Sequence, residues 1–224
     1  MTDTADGVHE RGHRAFVGGG GEFWDRISLL QFDFLISEGL KPNHTFLDVA
    51  CGSLRGGSRF IAYLERGRYL GLDKHIELVI YGVACELGID LYRDKRPRFA
   101  ISDRFEFEKL GAKPDFALAQ SLFTHLNEPD IRLCLTKLRQ TAPEGCRFFA
   151  TFFETMQPLR NPEHSHSHAG FRYSRRRWRI SGDRRAGRPA ISGDGITRAA
   201  STSLNTSAEA TQARRYCCGY AESW

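Results

Sequence analysis

The stretch FLDVACGSLRGG, residues 46–57, decides the fold predicted for this chain. Residues 45–50 read as a buried strand that carries the acidic Asp48, and a turn rich in glycine and small residues follows. Such a turn lets a ligand approach the backbone closely, and the helix predicted after it presents N–H groups at its start. The stretch therefore predicts a ligand site at the carboxyl end of the first strand.

Strands and helices alternate along the chain on both sides of this stretch. Before it, apolar residues spaced three and four apart between Phe23 and Leu35 predict a helix that ends at Gly39. The predicted strands are TFLDVA, RYLGLD, RFAISDRFEF, FALAQ and CRFFATFFE, and the helices between them are SRFIAYLERG, ELVIYGVACELGI and PDIRLCLTKLRQTA. This alternation predicts an α/β fold with a doubly wound, mostly parallel sheet and a ligand site at the topological switch point.

The apolar pattern stops after Ser174. Residues 175–224 contain only four residues of the Leu, Ile, Val, Phe and Met set, and so little burial cannot offset the entropy of ordering the backbone. We therefore expect a disordered start at 1–15, one domain at 16–174 and a disordered, arginine-rich tail at 175–224. The tail's bias towards Arg, Gly and Ala resembles translation in a wrong reading frame, which leads to the hypothesis that a frameshift replaced the original C-terminal part.

The net charge of +5 belongs to this tail. Residues 175–224 carry ten arginines against four acidic residues, a net charge of +6, so the preceding 174 residues carry −1. Proteins that bind nucleic acid use a structured basic face, often with interleaved stacking residues, and a near-neutral domain with a charged tail does not fit that description. We expect no nucleic-acid partner for the domain.

Composition limits the class of protein further. The six cysteines are scattered without a Cys-x-x-Cys pair, which predicts neither a zinc framework nor a disulfide scaffold and fits a reducing compartment. The start of the chain lacks the apolar core of a signal peptide, and no run approaches the roughly 18 apolar residues that span a bilayer. We expect a soluble, cytoplasmic protein with no membrane partner.

Two ligand classes that use a strand, a glycine turn and a helix start match this turn poorly. A dinucleotide site uses Gly-x-Gly-x-x-Gly, whereas the turn has Ala50 at the first of these positions and Arg55 at the last. A P-loop uses Lys and then Ser or Thr after its last glycine, whereas Ser58 and Arg59 follow Gly57. Both classes are disfavoured.

A third class is favoured by acidic residues at the ends of two predicted strands. The turn from Asp48 to Ser53 resembles motif I of the class I, Rossmann-like S-adenosylmethionine-dependent methyltransferases, whose pattern is acidic-x-Gly-x-Gly. Asp73 ends the second predicted strand 25 residues after Asp48, where an acidic residue of that family binds both ribose hydroxyls. The resemblance extends from Phe16 to about Gly170. The segments FVGG, FWD, GL-x-P, LDVACGSLRGG, YLGLD and SLFTHL resemble an uncharacterised bacterial group of methyltransferases with a Cys-Gly-Ser-Leu-Arg turn.

The resemblance implies a methyltransferase that uses S-adenosyl-L-methionine. It places Asp103 where the family contacts the adenine amino group, with an Asx turn as the alternative for that residue. The residues implied for cofactor binding are Asp48, Ala50, Cys51, Gly52, Ser53, Asp73, Lys74, Asp103, Arg104, Gln120 and Ser121.

The turn departs from the family's pattern at two positions. Ala50 replaces the first glycine, which is a small loss if φ there is negative. Leu54 replaces the third glycine, which predicts that close packing depends on Gly56 and Gly57. Arg55 is expected either to attract the carboxylate of the cofactor or to be a solvated residue at the helix start.

Histidines are the candidates for proton transfer. His125 follows the fourth predicted strand, inside the expected cleft, and is the candidate general base, with a structural cap or a cofactor contact as alternatives. His164, His166 and His168 alternate, as residues on one face of a strand do, but they lie in a Pro- and Ser-containing loop without a carboxylate-rich partner. We expect histidines of a substrate loop and no metal site.

The acceptor of the methyl group is constrained by the end of the fourth strand. Methyltransferases that act on exocyclic base nitrogens carry an Asn- or Asp-Pro-Pro-aromatic turn there, whereas residues 120–123 are Gln-Ser-Leu-Phe. This disfavours nucleobases and leaves an unidentified small molecule as the expected acceptor. The alternative function is a non-catalytic, methyltransferase-like binding protein whose basic tail contacts nucleic acid weakly.

The far edge of the sheet is expected to be incomplete. The sheet of the family has two more strands after the fifth, in an antiparallel hairpin that the tail's composition does not supply. Residues 146–153 would then form an edge strand with uncovered aromatic side chains. Such an edge predicts aggregation or a homodimer.

Overall fold

The computed structural model describes residues 8, 12–19, 21–155, 160–166, 170–173, 180–181, 190–191 and 222–223. Five of its strands are parallel: β1 (Phe46–Val49), β2 (Tyr69–Asp73), β3 (Arg98–Ile101), β4 (Phe116–Ala119) and β5 (Arg147–Ala150). Their order in the sheet is β3-β2-β1-β4-β5. The connections run outward from β1 to β3 and then return to β4, so the switch point lies between β1 and β4.

Two of the described helices precede β1, and the others lie between strands as the alternation of the sequence predicts. They are α1 (His13–Phe16), α2 (Glu22–Ser37), α3 (Gly57–Tyr63), α4 (Ile76–Tyr81), α5 (Ile89–Lys95) and α6 (Glu128–Thr141). A π-helix (Gly82–Leu87) and two 3-10 helices (Phe107–Leu110 and Leu122–Thr124) complete the connections. A single helix was predicted after β2, but the structure has three consecutive helices there: α4, the π-helix and α5. Gly88, at φ 82°, separates the π-helix from α5.

Alternate residues of the strands face two separate cores. On β4, Phe116 and Leu118 belong to one core, whereas Ala117 and Ala119 belong to the other. The first core contains side chains of α2, α3 and α4, and the second contains the buried face of α6. A parallel sheet with both faces covered reads as nearly continuous apolar strands, which explains why FALA is apolar throughout.

The end of the fifth predicted strand differs from the expectation. β5 ends at Ala150, and Phe153–Glu154 forms a separate strand, β6, that pairs in parallel with β7 (Arg172–Tyr173). The described residues of the predicted tail form three two-residue strands: β8 (Ile180–Ser181), β9 (Ala190–Ile191) and β10 (Glu222–Ser223). β8 and β9 pair with each other. The predicted disorder of the other tail residues, and of most of 1–15, lies outside the described residues.

The prediction of uncovered aromatic side chains on β5 is wrong. Phe148 and Phe149 are both buried. The ring of Phe149 meets that of Phe34 on α2 edge to face at 5.1 Å, and the ring of Phe148 lies 6.1 Å from that of Phe123. Helix α2 thus covers one face of β5, the strand that was predicted to have uncovered aromatic side chains.

The backbone edge of β5 is covered in part as well. β10 pairs antiparallel with it, Glu222 opposite Phe148 and Ser223 opposite Arg147, on the side where the resemblance places the closing hairpin. The Arg147 guanidinium pairs with Glu38 and lies 5.3 Å from the centre of the Phe149 ring. The homodimer through this edge stays a prediction. Among the described residues, no helix is both long and apolar enough to cross a membrane.

Candidate cofactor and acceptor site

A cavity of about 720 Å³ opens at the carboxyl ends of the parallel strands. Ten of the predicted cofactor residues line it: Asp48, Ala50, Cys51, Gly52, Ser53, Asp73, Lys74, Asp103, Gln120 and Ser121. The candidate base His125 lines it too. Arg104 is not part of the lining. Its side chain is exposed, and its N–H donates to Ser102 Oγ at 3.1 Å. With Thr151 after β5, the cavity therefore joins residues from five strand ends around the switch point.

Asp73 fastens the glycine turn to the end of β2. Its Oδ2 accepts a hydrogen bond from the Gly52 N–H (2.8 Å), and its Oδ1 accepts one from the His75 N–H (2.9 Å). Burial raises the pKa of Asp73, and these two N–H groups act against that rise. A carboxylate has about four acceptor positions, so the two backbone bonds leave capacity for further donors in the cavity.

Asp48 on β1 is as buried as Asp73 and also lines the cavity. Its Oδ2 accepts a hydrogen bond of 2.7 Å from the Tyr69 hydroxyl. Burial raises the pKa of Asp48 to about 7, and the Tyr69 hydrogen bond and the nearby Arg55 oppose this, whereas the charge of Asp73 adds to it. The carboxyl of Asp48 therefore titrates close to neutral pH.

The backbone of the turn takes left-handed conformations at alternate residues. φ is 61° at Ala50, 53° at Gly52 and 62° at Leu54. The condition under which alanine would cost little, a negative φ at Ala50, is not met, and the departure from glycine there costs about 1 kcal/mol. Two non-glycine residues at positive φ within five positions make this turn a strained segment, and such segments concentrate at functional sites.

The prediction of close packing at Gly56 and Gly57 is confirmed. A methyl group on Gly57 would lie 2.5 Å from the Tyr69 hydroxyl and 2.8 Å from Leu54 Cδ2, and one on Gly56 would collide with Gln31 Oε1. Sequence reasoning missed Gly82, where a methyl group would lie 2.7 Å from Leu54 Cγ. The fully buried Leu54 thus occupies space that Gly57 and Gly82 leave open.

Ser53 carries a buried polar atom that faces no protein partner. Its Oγ makes no hydrogen bond within the described structure, although the residue is only 1% exposed and lines the cavity. An unsatisfied buried hydroxyl costs about 1–3 kcal/mol. A ligand with a polar group at this point would recover that cost.

One of the two alternatives for Arg55 was a solvated residue at the helix start, and the structure differs from it. Arg55 is partly buried and lines the cavity, and its guanidinium lies 5.9 Å from the centre of the Trp24 ring. Its Nη1 donates to the Val17 carbonyl at 3.4 Å. Burial lowers the pKa of Arg55. A cation with little water around it attracts an anionic ligand group more strongly than a solvated one does.

The N-terminal segment closes one side of the cavity, with Ala15, Phe16, Val17 and Gly18 in the lining. Arg14 holds it in place through two hydrogen bonds to Glu86 on the π-helix, 2.7 Å from Nε to Oε1 and 2.8 Å from Nη2 to Oε2. The His13 ring stacks on Tyr81 at 5.5 Å. The segment therefore rests on the helices that follow β2.

The opposite end of the cavity is built around Ser121, at the end of β4. φ of Ser121 is 60°, and its N–H donates to Thr151 Oγ1 at 2.6 Å. The Thr124 hydroxyl donates to the Ser121 carbonyl (2.6 Å), and Gln120 Nε2 donates to Ser121 Oγ (3.0 Å). Three side chains thus fix a backbone conformation that serine rarely adopts.

The loop with alternating histidines folds against this end. Ser165 and His166 line the cavity and His164 does not, although the two histidines are both exposed. His168 lies outside the described residues. No cluster of His, Cys, Asp or Glu suited to a metal ion occurs in the described part of the chain. The interpretation of the run as a substrate loop stays a prediction.

No protein-family model matches the chain. The structure is similar to the magnesium protoporphyrin IX methyltransferase of Synechocystis PCC 6803 with bound S-adenosylhomocysteine, at 18% identity over 68% of this chain and 69% of that chain, with a TM-score of 0.51. This chain has the class I methyltransferase fold. The form of that enzyme with bound S-adenosylmethionine aligns at 19% identity, 72% and 74% coverage and a TM-score of 0.49. The glycopeptide N-methyltransferase complexed with S-adenosylmethionine aligns at 14% identity, 56% and 54% coverage and a TM-score of 0.46.

Within this methyltransferase fold, several side chains that shape the site were not predicted from the sequence. Tyr69 is a strand residue whose role depends on its contact with Asp48, and Thr151 supports Ser121 from the end of β5. Asn127 caps α6, since its Oδ1 accepts the Asp130 N–H at 2.9 Å. The Asn-x-x-Asp spacing before an apolar periodic segment was the one available signal.

Proposed function

We propose that this chain is an S-adenosylmethionine-dependent methyltransferase with a small-molecule acceptor. The observation that carries the proposal is the hydrogen bond between the Gly52 N–H and Asp73 Oδ2 in a class I methyltransferase fold. It joins the glycine turn after β1 to the acidic residue at the end of β2, which are the two features that the resemblance assigns to the cofactor.

The polar groups of the cavity fit the parts of this cofactor one by one. Asp73 has acceptor capacity left for the two hydroxyls of a ribose. The unsatisfied Ser53 Oγ and the partly buried Arg55 lie at the turn, where they suit the amino-acid end, which carries a carboxylate. Asp103, exposed at the rim, suits an adenine amino group.

The chain's own contribution is binding and orientation. S-adenosylmethionine, when bound, supplies a methyl group on a positively charged sulfur. Residues of the turn and β2 would fix one end of the site, and Ser121 would fix the floor, so that an acceptor meets the methyl group in line. Positioning of this kind contributes roughly 7–11 kcal/mol to lowering a barrier.

Calorimetric titration with S-adenosylhomocysteine, NAD and ATP tests the proposal. We expect saturable binding of S-adenosylhomocysteine alone, weakened at least about tenfold in Asp73→Asn, because an amide replaces one ribose acceptor with a donor. Asp33→Asn, an exposed change on α2, is the control and leaves affinity unchanged.

The outcome separates this proposal from its competitors. Binding of NAD or ATP in place of S-adenosylhomocysteine, by a protein that melts cooperatively, contradicts the proposal. Binding of S-adenosylhomocysteine without methyl transfer to any acceptor in a broad screen supports the non-catalytic alternative. The basic tail on which that alternative relies lies mostly outside the described residues.

A further inference from the structure

We propose that the β4–β5 end of the cavity takes a planar acceptor with a hydroxyl group, and that His166, beside His125, is a proton acceptor for that hydroxyl. This inference rests on the proposed methyltransferase function and names its substrate class. Three features of this end support it: the hydrogen bonds that hold the histidine loop (the described residues 160–166 and 170–171), the apolar and aromatic side chains of the cavity wall, and the charges of the lining residues.

Backbone hydrogen bonds place His166 next to His125. The His166 N–H donates to the His125 carbonyl at 3.1 Å. Farther along the loop, the N–H groups of Gly170 and Phe171 donate to the Thr124 carbonyl at 3.0 and 3.1 Å. The histidine loop is therefore docked on the turn after β4, so the two imidazole-bearing residues are neighbours in the cavity wall.

Side chains clasp the same loop to the start of α6. Asn127 Nδ2 donates to the Glu163 carbonyl (2.7 Å), and the Asn127 N–H donates to Ser165 Oγ (2.8 Å). The Ser165 hydroxyl in turn donates to the Asp130 carboxylate. The fully buried Phe171 lies 5.0 Å from the His166 ring, centre to centre. These bonds fix the loop at Glu163 and Ser165, directly before His166.

Apolar and aromatic side chains form the rest of this end. Leu122, Leu126, Phe152 and Phe153 line the cavity there. Aromatic walls favour flat ligands, because rings stack or meet edge to face over a large apolar area. The acceptor that fits best is thus a planar molecule with a polar substituent.

The charges indicate which substituent it carries. Of the described residues that line the cavity, the Lys and Arg side chains are Arg55 and Lys74, and both belong to the turn and the end of β2. The acceptor end holds the acidic Asp130 instead. A carboxylate or phosphate on the acceptor would meet the Asp130 carboxylate and no Lys or Arg among the described lining residues, whereas a neutral hydroxyl needs only a proton acceptor, which imidazole provides.

The proposed step balances without a further reactant. The acceptor oxygen forms a bond to the methyl carbon of S-adenosylmethionine, the carbon–sulfur bond breaks, and its electron pair stays on sulfur, giving S-adenosylhomocysteine. The hydroxyl proton passes to an imidazole nitrogen of His166 or His125 and then to solvent. The products are a methyl ether and a proton.

Three naphthalene compounds test the substrate class, since they share one planar body. The full chain is incubated with S-adenosylmethionine and 2-naphthol, 2-naphthylamine or 2-naphthoic acid, and the methylated product is measured by mass spectrometry. We expect 2-naphthol to react at least about tenfold faster than the other two, because proton removal by a positioned base contributes about 10²–10⁴ in rate. Preference for the amine or the acid overturns the proposal.

Variants of the loop test the role of His166. We expect His166→Gln and His125→Gln each to lower kcat for 2-naphthol at least about tenfold with KM changed less than about threefold. His164→Gln is the control, because His164 lies on the same loop and is exposed as His166 is, but does not line the cavity. A variant of His166 that behaves like the control refutes its role.

The failure of this inference can be told from failure of the proposed function. Binding of S-adenosylhomocysteine is measured first, and its absence removes both. If S-adenosylhomocysteine binds and 2-naphthol neither binds to that complex nor reacts, the proposed cofactor stands and the hydroxyl-bearing planar acceptor is wrong.

Discussion

The hydroxyl of Tyr69 donates a hydrogen bond of 2.7 Å to Oδ2 of Asp48, and both residues are buried beneath the glycine turn. The registers of the strands explain the contact. Asp48 on β1 lies opposite Gly71 on β2, which carries no side chain, and Tyr69 is the diagonal neighbour two residues earlier. The Tyr69 hydroxyl is therefore the side-chain group that donates a hydrogen bond to the buried Asp48 carboxyl.

Stability is expected to fall as the pH rises from 5 to 8. The pKa of Asp48 is about 7 in the folded chain, against about 3.9 in an unfolded one. The folded state thus binds more protons between these values, so the free energy of unfolding decreases as the pH rises through them, by on the order of 4 kcal/mol at most. Asp73, whose pKa is also raised, adds to the effect with the same sign.

Urea unfolding at pH 5 and pH 8 measures this dependence. Asp48→Asn keeps the shape of the side chain and cannot ionise, so its stability is expected to fall less than that of the wild type over the same range. An equal fall in both proteins would show that Asp48 ionises normally in the folded state.

Gly57→Ala is expected to destabilise the fold by about 1–3 kcal/mol, as added methyl groups in packed interiors do. The new methyl group would lie 2.5 Å from the Tyr69 hydroxyl. In a Tyr69→Phe background that oxygen is absent, so the same substitution should cost less, and a double-mutant cycle gives the coupling. Ser58→Ala, the next residue of α3, is the control. Additive effects of Gly57→Ala and Tyr69→Phe would contradict the contact.

Ala50→Gly is expected to stabilise the protein by up to about 1 kcal/mol, because glycine takes a positive φ without steric cost and the gain exceeds its extra entropy when unfolded. The φ of Ala50 is 61°. Ala117→Gly in β4, where the residue is fully buried, should instead destabilise. Thermal melting of both variants measures these changes in stability. A loss of stability in Ala50→Gly would mean that contacts of the alanine methyl group stabilise the fold by more than the backbone strain destabilises it.

The sequence predicted the parallel sheet well, because each strand between Phe46 and Ala150 is a short apolar run bounded by turn residues. The register of those strands has no local signal, so the contact between Tyr69 and Asp48 was not predicted. The pairing of β10 was missed for a related reason. Glu222 and Ser223 carry no apolar pattern, and the pairing uses only their backbone groups.

The cofactor end of the candidate site could be predicted from the sequence, whereas the acceptor end could not. The turn and Asp73 were predicted from a resemblance in short motifs, and the structure joins them through the Gly52 N–H. The acceptor end depends on the histidine loop, which has no periodicity and reaches its place through hydrogen bonds between residues about 40 apart, such as those joining Asn127 to Glu163 and Ser165. Sequence patterns carry no information about docking of that kind.

Arg55 should distinguish the two ends of the proposed cofactor. We expect Arg55→Gln to weaken binding of S-adenosylhomocysteine at least about tenfold, since a partly buried guanidinium that faces the ligand's carboxylate is lost. 5′-Methylthioadenosine lacks the amino acid, so its affinity should change less than about twofold.

Calorimetry with both ligands provides the measurement, and Arg59→Gln provides the control. Arg59 lies four residues later on α3, is exposed, and contacts Ser28 and Asp25 rather than the cavity. Equal weakening of both ligands by Arg55→Gln would mean that Arg55 supports the N-terminal segment through the Val17 carbonyl instead of meeting the ligand. Loss confined to S-adenosylhomocysteine would place the amino-acid end of the cofactor beside the guanidinium, because only that ligand carries the carboxylate.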